Sequence, residues 1–254
     1  MSIEYAERGL IGVLTPQSNT TVEPEFWVLL PPRLTALNAR VTCESLDMQS
    51  RLVHYIEHLD EFCDQFGNAP LNAMVLACTG SSYLVGAQKE AEILDHISSK
   101  LQIPVLTSAI CVVKALREIG ANRIGLSSPY PDALNQKSTK YWLDQGFDVV
   151  CVSHVDSAKE AFHPIYAIGS NEARASMEQF ASYSLDAVVM LGTGMPTLST
   201  ILEMNSLDSH PPVLSSMLAT VWGTVSTFSP EFSDFSPWLK GHHWRDRFLS
   251  FQKF

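Results

Sequence analysis

An internal repeat constrains this chain more than any other feature. Residues 11–16 read Ile-Gly-Val-Leu-Thr-Pro and residues 124–129 read Ile-Gly-Leu-Ser-Ser-Pro, an offset of 124 − 11 = 113. Residues 73–80 read Ala-Met-Val-Leu-Ala-Cys-Thr-Gly and residues 187–194 read Ala-Val-Val-Met-Leu-Gly-Thr-Gly, an offset of 187 − 73 = 114. Two weaker pairs follow at offset 108: Val41-Thr42-Cys43 against Val149-Val150-Cys151, and the Pro-Val-Leu run at 104 against that at 212. Four pairs in one order, with offsets that drift only by loop-sized amounts, indicate a duplicated unit of about 110 residues.

Each unit reads as α/β. The matched segments are short apolar runs that end in Thr-Pro, Ser-Pro, Cys-Thr-Gly or Gly-Thr-Gly, as expected of strands buried on both faces of a parallel sheet. Helical spacing of apolar residues fills the gaps, at Ala87 to Lys100, Ile110 to Ile119, Leu134 to Leu143 and Glu172 to Tyr183. Such alternation implies βαβ units. The predicted fold is two pseudo-symmetric, Rossmann-like α/β halves, each a four-stranded parallel sheet flanked by helices. The first half takes 1–107 plus 213–254 and the second takes 108–212.

Composition narrows the function classes. Of 254 residues, 46% are hydrophobic and 17% charged, which excludes disordered and coiled-coil classes. The net charge is −10 and no cluster of Lys and Arg occurs, so no nucleic-acid partner is expected. No apolar run approaches the roughly 20 residues of a membrane span, and the charged N-terminus lacks a signal-peptide core. Five cysteines, at 43, 63, 78, 111 and 151, show no disulfide or metal spacing. A cytoplasmic protein without membrane contact or metal is expected.

In parallel sheets, ligands bind beyond the carboxyl ends of the strands. Those ends here are Thr15 to Asn19, Cys78 to Ser82, Ser128 to Tyr130 and Gly192 to Pro196, and two facing halves bring them to one cleft. The loops hold no Lys or Arg but many hydroxyls, so the cleft is expected to hold a small carboxylate by neutral donors and helix N–H groups. Hydroxyls at strand-to-helix turns equally serve as plain helix caps. Cys78 is the candidate nucleophile: at a helix N-terminus its pKa is expected to fall toward neutrality, making it the fastest-alkylated thiol. Gly192-Thr193-Gly194 lacks the third glycine of a dinucleotide fingerprint, and no Walker A loop, zinc-protease or serine-hydrolase motif is present.

The segments Thr15-Pro16-Gln17-Ser18-Asn19-Thr20-Thr21-Val22-Glu23-Pro24-Glu25, Ala77-Cys78-Thr79-Gly80-Ser81-Ser82-Tyr83 and Ser128-Pro129-Tyr130-Pro131-Asp132 with Asn135 resemble the aspartate/glutamate racemase superfamily. The likeness, over about residues 8–225, is greatest to its maleate cis-trans isomerase and arylmalonate decarboxylase branch. The resemblance implies a cofactor-independent enzyme with its site between two half-domains. It also implies a catalytic cysteine at Cys78 and substrate contacts from Pro16, Asn19, Thr79, Gly80, Tyr130, Asn135, Gly192, Thr193 and Gly194.

The family's second thiol falls on Gly192, or on Thr193 with a one-residue slip, and neither is a thiol. Two-base racemisation needs a proton carrier on each face. The resemblance therefore favours isomerisation of a small dicarboxylate by one cysteine. Two alternatives remain open: an arylmalonate-type decarboxylase with Cys78 as the single proton donor, and a non-catalytic carboxylate-binding relative. Gly192→Cys is expected to restore a carrier on the other face if the backbone admits a Cβ there. Residues 228–254 carry eight aromatics and are expected to pack on the first half or on a partner subunit of a homo-oligomer.

Overall fold

The computed structural model describes residues 3–155, 163–207 and 210–252. The first unit runs β1 (Gly9–Pro16), α1 (Val22–Leu29), β2 (Leu34–Val41), α2 (Met48–Glu57), α3 (Leu59–Cys63), β3 (Ala73–Leu76), α4 (Thr79–Val85), α5 (Ala87–Leu101), β4 (Val105–Thr107) and α6 (Ser108–Glu118). The second runs β5 (Arg123–Ser128), α7 (Asp132–Asp144), β6 (Asp148–His154), α8 (Ser170–Ala175), β7 (Ala187–Met190), α9 (Leu198–Met204), β8 (Val213–Ser215) and α10 (Ser216–Val225). Two short helices close the chain, α11 (Ser236–Leu239) and α12 (Arg245–Phe251). Helical spacing from Glu172 resolves into α8 and then a 3-10 segment, Ser176–Ser182.

The two sheets have one topology. Their orders are β2-β1-β3-β4 and β6-β5-β7-β8, all parallel. The duplication extends to single hydrogen bonds. Ala77 N donates to Leu14 O and Leu191 N to Ser127 O. Thr107 caps α6 through Ile110 N, and Ser215 caps α10 through Leu218 N. Ser108 Oγ reaches Leu76 O, and Ser216 Oγ reaches Met190 O. Cys78 and Gly192 each stand two residues past the end of the matching strand, β3 or β7.

One boundary is corrected. Val213–Ser215 pairs with β7 and completes the second sheet, so the first half does not resume at 213. The chain returns only with α10, which packs on α6, α1 and β3 of the first half. Every residue of α10 is buried, as its apolar composition all round requires. Its Thr220 hydroxyl donates to Ser108 Oγ of α6 at 2.7 Å, tying the halves at their centre.

The aromatic tail packs on both halves. Phe235, Trp238 and Trp244 are buried, and Phe235 lies 4.8 Å from the Trp222 ring of α10. Arg247 donates to Val28 O and Leu29 O at the end of α1, while Asn205 of the second half donates to Leu239 O. Burying each large aromatic contributes roughly 1.5–3 kcal/mol, so the tail is part of the core.

Glu25 of α1 forms another link between the halves. Its buried carboxyl accepts the Thr197 N–H at 2.8 Å, at the start of α9. Burial raises its pKa from 4.5 to about 7, against the lowering by the Thr197 and Leu198 N–H groups. The folded state therefore holds this proton more tightly than the unfolded chain. Stability from it is complete below about pH 4.5 and falls as pH rises to about 7. Glu25→Gln is expected to remove that decline, on the order of 3 kcal/mol by pH 8. Denaturant melts of both proteins at pH 5 and pH 8 measure it; an equal pH dependence in the variant would assign the decline elsewhere.

Candidate active site

A small cavity of about 40 Å³ lies between the halves, lined by Pro16, Cys78, Thr79, Gly80, Tyr130, Gly192, Thr193 and Gly194 from the expected strand ends. The parallel order of both sheets turns these ends toward each other. Met48, Arg51, Leu52 and Tyr55 of α2 line it too, together with His163, Ile165 and Tyr166 from the crossover after β6.

Cys78 is the N-cap residue of α4, in an extended conformation that aims its side chain ahead of the helix. The thiol is buried, and its sulfur accepts from Ser81 Oγ at 3.3 Å. Burial pushes its pKa up, while the Ser81 hydroxyl and the N–H groups of Ser81 and Gly80 pull it down. Desolvation is the larger effect, which corrects the expectation of a thiol acidified toward neutrality. Cys78 rests as a neutral thiol, and the same three donors are placed to hold a thiolate once the proton leaves. Half-exposed Cys43 is more accessible to alkylating reagents than buried Cys78.

Tyr130 and Thr79 face each other, with hydroxyl oxygens 2.6 Å apart. Burial, and the nearby sulfur of Cys78, push the Tyr130 phenol well up, so it stays protonated and either hydroxyl of the pair can donate. Thr193 Oγ donates to Ala77 O at 2.8 Å across the boundary between the halves. Thr21 Oγ1 donates to Gly194 O at 2.9 Å. The Gly192-Thr193-Gly194 turn is thus pinned to the first half.

Gly192 adopts φ +82°, a conformation L side chains rarely take, and an added Cβ would stand 3.3 Å from the Tyr130 hydroxyl. At Gly194 a Cβ would lie 2.3 Å from the Tyr166 ring, so glycine there admits that ring to the cavity wall.

Asn19 and Asn135 stand behind the cavity. Asn19 Oδ1 accepts the Thr21 and Val22 N–H groups at 2.8 and 3.1 Å, capping α1, and its Nδ2 donates to Thr193 Oγ1 at 3.2 Å. Asn135 accepts from Ser128 Oγ and donates to Tyr130 O at 2.9 Å, holding the loop that carries Tyr130. Both groups of bonds fix residues that do line the cavity.

Sequence reasoning missed the α2 wall and the wall after β6. The four strand-end loops bring no Lys or Arg to the cavity, yet Arg51 brings a cation from outside them. A signal was present: Met48, Arg51, Leu52 and Tyr55 occupy one face of α2 at i, i+3, i+4 and i+7, with arginine inside an apolar stripe. His163 stacks on Tyr166 with ring centres 3.8 Å apart and accepts the Ile165 N–H on Nδ1. Burial, then Arg51, lower its pKa, so it faces the cavity as a neutral imidazole with Nε2–H as the donor. Among the described residues no group of His, Cys, Asp and Glu could hold a metal ion.

The arylmalonate decarboxylase family model matches residues 11–235. Maleate isomerase of Pseudomonas putida is 28% identical over 235 residues, covering 87% of this chain and 92% of that protein. Maleate isomerase of Geobacillus stearothermophilus is 25% identical over 239 residues, covering 86% and 91%. Among solved structures, a cysteine-to-serine variant of the Nocardia farcinica maleate cis-trans isomerase, holding a covalently bound succinylcysteine intermediate, superposes with a TM-score of 0.75 at 21% identity, covering 86% of this chain and 92% of that one. A liganded arylmalonate decarboxylase with one glycine changed to cysteine and one cysteine to serine gives 0.75 at 19% identity, covering 87% and 93%.

Proposed function

Because the chain belongs to the arylmalonate decarboxylase family, we propose that it is a cofactor-independent isomerase of a small cis-unsaturated dicarboxylate, acting through the one thiol of Cys78. The observation that carries this reading is the position of Cys78. It caps a helix at the cavity, amid donors from Ser81, Gly80, Thr79 and Tyr130, and among the described residues no second cysteine lines that cavity. The maleate isomerase relatives, one of them a variant that lacks a cysteine and still holds a succinylcysteine, support covalent addition.

In the proposed reaction the Cys78 thiol first gives its proton to water, which returns it once the product has left. The sulfur then bonds to one olefinic carbon, and the π electrons move into the carboxylate attached to the other. Tyr130 Oη–H and the N–H groups of Gly80 and Thr193 hold the resulting enediolate. The former double bond is now single and rotates. The electron pair returns, the C–S bond breaks, and the trans acid leaves with Cys78 restored. Asn19 and Asn135 act as positioning residues, through Thr193 and Tyr130. The five free cysteines support a cytoplasmic location.

A second reading has its own observation. A neutral buried thiol is ready to give a proton, which suits a decarboxylase that protonates an enediolate from one face. Proton NMR of the purified protein with maleate, phenylmalonate and substituted arylmalonates, without added cofactor, separates the two. The trans acid alone is expected from maleate. Carbon dioxide from an arylmalonate with inert maleate would establish the second reading, and inertness toward all of them would leave a carboxylate binder.

A further inference from the structure

Resting on the dicarboxylate reading, we propose that Arg51 is the specificity-determining residue of this site, anchoring the second carboxylate of a substrate whose first carboxylate lies in the neutral cradle beside Cys78. Among the described residues Arg51 is the one Lys or Arg side chain on the cavity wall. Its Nη1 donates to Ser45 O at 3.0 Å and Leu46 O at 2.8 Å, and these two carbonyls of the loop after β2 fix the guanidinium in place. Carbonyls leave its charge uncompensated. Among the described residues Arg51 joins no ion pair; Arg117, Arg245 and Arg247 join none either, but none of those lines the cavity.

The placement is directional. Cys78, Thr79 and Gly80 come from the turn after β3, and Arg51 from the α2 face that packs on α4. Tyr55 and Tyr166 lie within electrostatic range of both Cys78 and Arg51, so the thiol and the guanidinium share one small volume. A guanidinium presents a planar fork that matches a carboxylate. In a largely desolvated cavity a monoacid would leave that fork unpaired, which costs affinity. An arylmalonate, with both carboxylates on one carbon, would set its aryl group against Arg51. A dicarboxylate with acids on adjacent carbons can reach the cradle and Arg51 together.

The test uses ligands that do not react. Succinate and butyrate have four carbons each and differ by one carboxylate; both are titrated calorimetrically into the wild type and Arg51→Met, with Arg51→Lys as the charge-keeping control. Wild type is expected to favour succinate by roughly tenfold or more, and Arg51→Met to bring the two affinities within about twofold by losing succinate alone. Arg51→Lys is expected to fall between. Equal loss of both ligands would make Arg51 a brace for the loop after β2 and overturn the proposal, as would an unchanged preference in Arg51→Met or a wild type with no preference. Failure of maleate turnover would remove the isomerase reading yet leave the preference for succinate to be read.

Discussion

Cys78→Ser is expected to reduce turnover by on the order of a thousandfold or more while leaving the fold in place. Serine keeps the shape, and its hydroxyl can still accept from the Ser81 hydroxyl, so the contact at the start of α4 survives. What goes is the nucleophile: an alkoxide is far harder to form than a thiolate, and the donors that would hold a thiolate cannot offset that difference. Rates come from proton NMR, folding from the thermal melt, and covalent capture from a mass increase of one substrate molecule in acid-quenched wild type that is missing in the variant. Full activity in the variant would exclude sulfur from the reaction.

The pH profile adds a sign. Burial raises the thiol above its ordinary 9.0. A nucleophilic thiolate therefore gives kcat/KM that climbs with pH across the neutral and alkaline range. A thiol that donates its proton gives a profile that is flat and then falls.

The two halves and the equivalence of Cys78 with Gly192 were legible because duplicated strands keep their sequence where both faces are buried. The offset of 114 that pairs Cys78 with Gly192 also pairs the hydrogen bonds of Ala77 and Leu191. What stayed hidden lies at the sheet edges. β2 and β6 are edge strands with mixed burial, and the segments after them diverged into α2 in one half and the His163–Tyr166 turn in the other. No strand-end motif marks Arg51 or Tyr166. Asn19 was expected to touch substrate but stands behind the cavity, because its bonds to Thr21, Val22 and Thr193 depend on α1 and on the opposite half. The direction of the Cys78 shift was equally hidden, since helix N–H groups are local and desolvation is a property of the whole interface. The three residues of β8 were too few to show which sheet they join.

Gly192→Cys is expected to lose both stability and activity rather than gain racemisation. The backbone at φ +82° strains any L residue by about 1–2 kcal/mol, as a loss in denaturant midpoint would show. Space compounds the strain. The new Cβ would sit 3.2 Å from Pro129 Cγ and 3.3 Å from the Tyr130 hydroxyl, tighter than ordinary carbon contacts. The phenol would have to give way, and it is bonded to Thr79 in the cradle that the reaction needs. Here Tyr130 stands where a side chain at position 192 would project, so the site already has a group on that face: a raised, protonated phenol that binds charge rather than a thiol that shuttles protons. Gly192→Ala separates the causes, because it carries the strain and the Tyr130 contact without the sulfur. The two variants should therefore lose similar stability and activity. Solvent deuterium at the α-carbon of a chiral 2-aryl carboxylate gives the second readout. Two-sided exchange in a stable Gly192→Cys protein would mean that the turn relaxes to clear Tyr130, and that glycine, not tyrosine, is what withholds the second carrier.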